Sequence, residues 1–450
     1  MARKKGLFAA SLAAFAVSVW SASAMAGQSV FTMTPDDPSA ITVKAVGDGK
    51  ADDTAAIQAA IDTAAKSGAG SIVWLPAGRY RITQTLRVPP AVRLFGVGAK
   101  RPTLVLADRT PGFDTGVETM VTFTGADQYL SGPVPVPVPS AMPGKPDVRD
   151  ANSGTFYSAL SNIDFEIGKG NPAAAGVRFR VAQHGYLSHI DFHTGSGFAG
   201  IYQAGNENED LHFFGGRYGI VSEKTSPAWQ YTLIDSTFEG QREAAIREHE
   251  VDLTLVNVRI SDTPTGIDID KGYSDSLWGK DVRFERVSNA AVVISNENSP
   301  FTQIGFDNAL ASGVPVFARF RDSGKTVKGP ASAYHVEAFN YGLKIANLGE
   351  MGQFATHFQA EPVARLPQAA GHVLPGLPPV DQWVNVRTQG VIGDGVADDT
   401  AALQKAIDIH RVVYLPIGHY LVSDTLHLRP DTVLIALHPS ATQITLSENT

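Results

Sequence analysis

The chain has 450 residues, 43% of them hydrophobic and 18% charged, enough apolar content for a large core, which excludes wholesale disorder. Lys plus Arg total 37 against 45 Asp plus Glu, a formal charge of −8, so a generally basic nucleic-acid-binding surface is excluded. There is no Cys, hence no disulfide, no thiolate metal site and no Cys nucleophile.

Arg3, Lys4 and Lys5 precede an apolar stretch from Gly6 to Trp20, and Ala24-Met25-Ala26 follows as a small-x-small cleavage site. That order reads as a signal peptide over residues 1–26 with a mature chain beginning at Gly27. The apolar run is too short to span a bilayer, so a membrane anchor is the weaker reading. A secreted or periplasmic protein with no membrane attachment after cleavage is expected.

The next segment occurs twice. Val46 to Gln58 recurs as Ile392 to Gln404, Trp74 to Tyr80 as Tyr414 to Tyr420, and Thr85-Leu86 as Thr425-Leu426. Repeats in the same order imply two starts of one module. In each copy Gly-Asp-Gly supplies a turn with positive φ. Asp53 or Thr54 is expected to cap a helix over 53–66 whose apolar stripe is Ile57, Ile61 and Ala64 or Ala65. Ser71 to Leu75 then reads as a strand, Pro76-Ala77-Gly78 as a turn, and Arg79 to Ile82 as an alternating strand. The Asp-rich loop has a calcium-site alternative, but capping and turn chemistry already account for each Asp.

Residues 132–150 are Pro-rich and read as an excursion from an early coil. From 160 to 310 two series run in phase. One is Phe165, Phe192, Phe213, Phe238, Val258, Phe284 and Phe306; the other is Gly176-Val177, Gly200-Ile201, Gly219-Ile220, Ala245-Ile246, Gly266-Ile267 and Ala291-Val292. Equal mean periods of about two dozen residues predict a β-solenoid, with the phenylalanines stacked inside. The chain therefore reads as all-β: a right-handed parallel β-helix over 40–345 with a short N-terminal capping helix, a Pro-rich linker over 361–383, and the start of a second such module over 384–450.

The opening Gly-Asp-Gly-x-x-Asp-Asp-Thr-x-Ala-Ile/Leu-Gln, followed by Leu-Pro-x-Gly-x-Tyr, resembles the pectate-lyase-like right-handed β-helix superfamily. The duplication, with Gly176 to Gln183, Leu187 to Ile190 and Gly200-Ile201, is most similar to the N-terminal half of glycoside hydrolase family 55, exo-acting β-1,3-glucanases built of two tandem β-helices. The resemblance implies that Gln183 orients water or sugar, and it draws attention to the loop after the Gly-Ile strand. That loop, Gln203 to Glu209, departs from the family's Glu-Asn-Gly-Ser-Gly-Gly pattern. The family's catalytic acid, a Glu, comes from the body of the second helix. That region is missing here, so the chain reads as the front half of a longer protein with little or no glycosidase activity.

A glycosidase needs two carboxyl groups, or a carboxyl and a positioned water, at the glycosidic oxygen. Candidate acids are Asp164, Glu166, Glu207, Glu209, Asp235, Glu239, Glu248, Glu250, Asp268 and Asp270. Strand alternation would put Glu248 and Glu250 on one face. They are the weak catalytic candidates, and the catalytic residues stay unassigned. The expected sugar-binding residues are Gln183, Tyr202, Asn206, Glu207 and Glu209, with Trp229 and Trp278 as further stacking candidates. No cofactor and no metal site are expected. The partner is a polysaccharide, nucleic acid is not one, and a monomer is anticipated. Three readings follow: polysaccharide hydrolysis of the β-1,3-glucan type, a polyuronate lyase or epimerase, and a non-catalytic glycan-binding β-helix.

Overall fold

The computed structural model describes residues 27–67, 70–125, 141–142, 145–223 and 230–447. The leader, Trp229 and residues 132–140 lie outside the described residues.

Each module start is held by its aspartates. Gly47 and Gly49 have φ of 66° and 75°, and Gly393 and Gly395 repeat this at 65° and 76°. Asp53 stands at the N-cap position of α1 (Thr54–Ala65) but makes no side-chain bond to the helix. Its carboxylate turns back and accepts the amides of Val46 and Gly47 at 2.8 and 3.1 Å. Asp399 does the same for Ile392 and Gly393 ahead of α2 (Thr400–Ile409). The expected helix cap is thus a loop latch, and Asp52 accepts the Thr54 amide and hydroxyl instead. Ile57, Ile61, Ala64 and Ala65 of α1 are buried in the core.

Successive coils are paired in parallel and present three faces. We call them the front sheet (Ala159–Ser161 and its neighbours), the rear sheet (Asp164–Ile167) and the lateral sheet (Ala174–Arg178). On the rear sheet the inward residues in register are Phe165, Phe192, Phe213, Phe238, Ile260 and Phe284. Ile260 replaces Val258 in the expected series, and Phe306 belongs to the front sheet opposite Gly279. All six phenylalanines expected inside are buried, Phe306 included. The first four rings stack at 5.1, 4.9 and 4.6 Å between centroids. On the lateral sheet Val177, Ile201, Ile220, Ile246, Ile267 and Val292 are in register as expected.

The two series are locked together. A methyl group on Gly200 would lie 2.5 Å from Cδ1 of Phe213 in the next coil, and one on Gly176, Gly219 or Gly266 would meet Phe192, Phe238 or Phe284 in the same way. Ala245 and Ala291 stand in the coils that precede Ile260 and Ala311, where no aromatic ring follows. Glycine appears where the next coil brings a ring, and alanine where it brings an aliphatic side chain. Close packing of this kind leaves no room for an added methyl.

The corner between front and rear sheets is a column of left-handed residues: Asn162, His189, Asp210, Asp235, Asn257, Asp281 and Asn308, with φ between 51° and 61°. Asn and Asp adopt this region more readily than other non-glycine residues. Parallel coiling gives way before residue 345. Gln303–Ser312, Ala333–Lys344 and Gln353–Pro362 form an antiparallel end piece.

Residues 363–379 then run back along the corner as a strap. Arg283 donates to the Pro367 carbonyl at 2.6 Å, Asn257 donates to that of Gly371 at 3.0 Å, and Asp235 accepts the amides of Val373 and Leu374. The second module packs beside the first start. Phe31, Trp74 and Phe95 meet Trp383, Tyr414, Ile435 and Leu437 in one cluster. Asp37 accepts the Ile417 amide at 2.9 Å, and Arg93 donates to the Leu437 carbonyl at 3.1 Å. Burial pushes His438, which meets the Ala91 carbonyl at this joint, down to about 4.

Gly200→Ala is expected to destabilise the protein by about 1–3 kcal/mol through overpacking against Phe213. Phe213→Leu in the same chain should recover part of that loss. Urea unfolding of the three variants checks both, and additive losses would show that the two positions are not coupled.

Candidate functional site

The sequence-predicted residues fall in different places. Gln183 lies in an exposed turn, where its carbonyl accepts the Tyr157 amide at 3.2 Å; its side chain is outside the solenoid's interior. Asn206 has φ of 61° and its side chain donates to the Val181 carbonyl. Trp278 is 40% exposed and donates to Asp307. Glu207 and Glu209 face a groove on the front sheet, and Tyr202 faces outward on the lateral sheet.

Glu248 and Glu250 do not share a face. The strand Ala244–Glu248 ends at the first of them, and Glu250 is in the left-handed region with φ of 53°. Glu248 is fully buried. It accepts the Ser222 hydroxyl at 2.6 Å and the Val251 amide at 2.8 Å. Burial and the neighbouring buried Asp275 push its carboxyl well above the usual range. Its role is to hold the turn that carries His249.

The lateral sheet assembles a constellation of acids, bases and rings. In register along its outer surface stand Arg178, Tyr202, Val221, Arg247 and Asp268. Arg247 pairs with Asp270 at 2.7 Å, and His249 hydrogen-bonds the same carboxylate oxygen. His249 stacks on Tyr273 with centroids 4.2 Å apart. Asp268 pairs with Arg321, which also donates to the Ile269 carbonyl. Tyr218 donates to Glu243 at 2.5 Å under the guanidinium groups of Arg217 and Arg247. Arg178 pairs with Asp150 at 2.6 Å, and Tyr202 donates to Glu223.

The two aspartates are driven apart. Burial lifts the Asp268 carboxyl above the ordinary range and the charge of Asp270 adds to this, against the pull of Arg321. Burial also pushes Asp270 up, but hydrogen bonds from Arg247 and His249 outweigh it and hold that carboxyl low. The two carboxyl groups are thus shifted in opposite directions, the arrangement that an acid and base pair uses. Sequence reading named both aspartates as candidate acids and saw His249 only as the middle of the Glu248-His249-Glu250 cluster; it gave no role to His249, Arg247 or Tyr273. The available signal was the residue after each β-branched position of the second series: Arg247 follows Ile246 and Asp268 follows Ile267, and both point out.

The groove on the front sheet has a volume of about 950 Å³ and lies between the first solenoid, the strap and the second module. Burial lifts Glu209 there, helped by Asp210 and Asp235 and opposed by His189. Asp210 bonds His189 at 2.7 Å and His212 at 2.9 Å. These bonds overcome burial and hold Asp210 far below the usual carboxylate range. Among the described residues no group of three or more His, Asp or Glu side chains is placed to hold a metal ion. No described helix is long and apolar enough to cross a membrane.

A family profile described as rhamnogalacturonase A/epimerase, pectate lyase-like, matches residues 40–268 and 383–444. The non-secreted LysM effector LysM19 of Penicillium expansum is 25% identical over 446 residues, covering 85% of this chain and 32% of that protein. Mannuronan C5-epimerase AlgE2 of Azotobacter vinelandii is 42% identical over 84 residues, 17% of this chain and 8% of the epimerase. Of solved structures, the A-module of mannuronan C-5 epimerase AlgE4 from Azotobacter vinelandii aligns at a TM-score of 0.33 and 15% identity, covering 62% of this chain and 74% of the module. The chain spans only 32% and 28% of the length of two LysM effectors that it matches.

Burial raises Asp275, which lies beside Glu248, from 3.8 to about 7. A carboxyl raised on folding stabilises the protein in its protonated form. Its contribution is complete below the unfolded value and is lost as pH rises toward the folded one. Thermal stability should therefore fall between pH 4 and about 7, and Asp275→Asn should flatten that slope. A pH series of melting curves on both proteins decides it.

Proposed function

The chain belongs to the rhamnogalacturonase A/epimerase, pectate lyase-like family of carbohydrate-active right-handed β-helices, and on that premise we propose that it is a polysaccharide hydrolase working on the lateral sheet. The reading rests on one observation: Asp268, near the end of the strand Arg259–Ile269, and Asp270, just beyond it, have different partners, Arg321 for the first and Arg247 with His249 for the second, and their carboxyl groups are shifted in opposite directions. Asp268 donates the proton to the glycosidic oxygen. Asp270, with His249, takes the proton of the attacking water. Tyr273 and Tyr202 offer rings at the sugar faces.

Charge balance bears on the substrate. Arg178, Arg247 and Arg321 are each paired with a carboxylate, so the guanidinium groups bonded to Asp268 and Asp270 are already neutralised, which favours a neutral polymer. Two packed solenoids are the arrangement that the resemblance to glycoside hydrolase family 55 implies, and a β-1,3-glucan is the substrate of choice. This reading puts the acid in the first solenoid, where the family resemblance would draw it from the second. A uronate epimerase or lyase is the second reading, favoured by the His249 and Tyr273 stack next to Arg247.

Purified residues 27–450 should release reducing sugar from laminarin. Asp268→Asn and Asp270→Asn should each lower kcat by about 10²- to 10⁴-fold. Activity should fall as pH drops through the Asp270 value and again as it rises through the Asp268 value, giving a bell. An unsaturated product from polygalacturonate or alginate, with laminarin untouched, would establish the second reading instead. Binding to laminarin without turnover would reduce the protein to a glycan-binding module.

A further inference from the structure

A buried ion cluster lies where the N-terminal segment enters the fold. Arg101 pairs with Asp164 at 2.9 Å and with Asp191 at 2.6 Å, and all three side chains are buried. The Asp191 amide donates to Asp164 at 3.0 Å, which keeps the two carboxylates side by side. Among the described residues Arg101 is the one cation touching them. Two carboxylates on one guanidinium leave a buried negative charge, which is costly without a partner. Burial and the nearby Asp191 push Asp164 up to about 6, against the pull of Arg101.

The backbone nitrogen of Gly27 lies 3.3 Å from the second oxygen of Asp191. The terminus and the guanidinium are closely packed: a methyl group on Gly27 would sit 1.9 Å from Nη2 of Arg101, so a larger residue would force the guanidinium to shift. The sequence places the leader cleavage between Ala26 and Gly27. Hydrolysis of that peptide bond adds water across it, leaving a carboxylate on Ala26 and an amine on Gly27 that is protonated near neutral pH.

We infer that the α-ammonium of processed Gly27 is the second cation of the Arg101, Asp164 and Asp191 cluster, so that removal of the leader completes the fold. With it the cluster is neutral. The segment that follows carries the effect inward. The Val30 amide donates to Asn162, and the Phe31 carbonyl accepts the Gly98 amide. Phe31 itself packs at 5.3 Å on Trp74, 5.6 Å on Phe95 and 6.3 Å on Trp383, the contact between the two modules. Docking of the new terminus thereby fixes the joint and the wall of the front groove, which Gly27 lines.

The test compares the processed chain beginning at Gly27 with a chain that retains Ala26, both otherwise complete to residue 450. N-terminal sequencing of exported protein should read Gly27 first. At pH 7 an amine-acylating reagent should label the Gly27 amine of native protein at least about tenfold more slowly than in urea, the ratio for an amine pKa raised by one unit. The chain retaining Ala26 should melt several degrees lower. Asp191→Asn should speed native labelling of the processed chain; if that variant fails to fold, the Ala26 comparison and the native labelling rate still decide. Equal melting of the two chains, native labelling as fast as in urea, or a mature terminus elsewhere would each overturn the inference.

Discussion

The solenoid depends on the fit between a stacked aromatic ring and the small residue of the coil before it. Phe192, Phe213, Phe238 and Phe284 each occupy the space that a side chain on Gly176, Gly200, Gly219 or Gly266 would need. A coil shifted by one residue would drive a ring into a backbone or leave a void, and neither is tolerated in a close-packed interior. The same fit holds the lateral sheet in register, so every residue just after its β-branched position points outward. Arg247 and Asp268 are aligned on one surface because the rings behind them are aligned.

The corner between front and rear sheets does a second job. A left-handed residue is needed at every turn of the coil, and the column of Asn and Asp that meets this need leaves polar side chains along one edge. Asp235 uses its carboxylate to hold Val373 and Leu374 of the strap. His189 and Asp210 from the same column line the front groove. A requirement of backbone geometry thus supplies both the anchor that returns the chain to its starting end and the polar wall of the groove between the modules.

On the lateral sheet the chemistry comes from unequal surroundings of similar groups. Asp268 and Asp270 differ in their partners: the first pairs with a single guanidinium, the second accepts from a guanidinium and an imidazole. Beneath them Glu248 is shut inside the coil and spends its oxygens on Ser222 and Val251. Three carboxyl groups within one stretch of chain therefore differ in what surrounds them: Glu248 is an internal brace, while Asp268 and Asp270 are shifted in opposite directions by their partners.

The sequence by itself determined the coil period, the lateral series from Val177 to Val292, the capping helix and the duplicated start. These follow from local pattern: spacing of apolar residues, Gly-Asp-Gly turns and an amphipathic stripe. It did not separate Val258 from Ile260, since both are apolar and two residues apart in one coil, and it assigned Phe306 to the wrong sheet. Only the tertiary structure decided where Asp53 turns its carboxylate, that Glu248 faces inward while Glu250 leaves the strand, and that Gln183 stands in an exposed turn. Such outcomes hang on a single dihedral at a corner, which composition and spacing do not encode. The pairing of His249 with Asp270, and of Gly27 with Asp191, joins residues from different coils. Contacts of that range exist only once the coils have stacked.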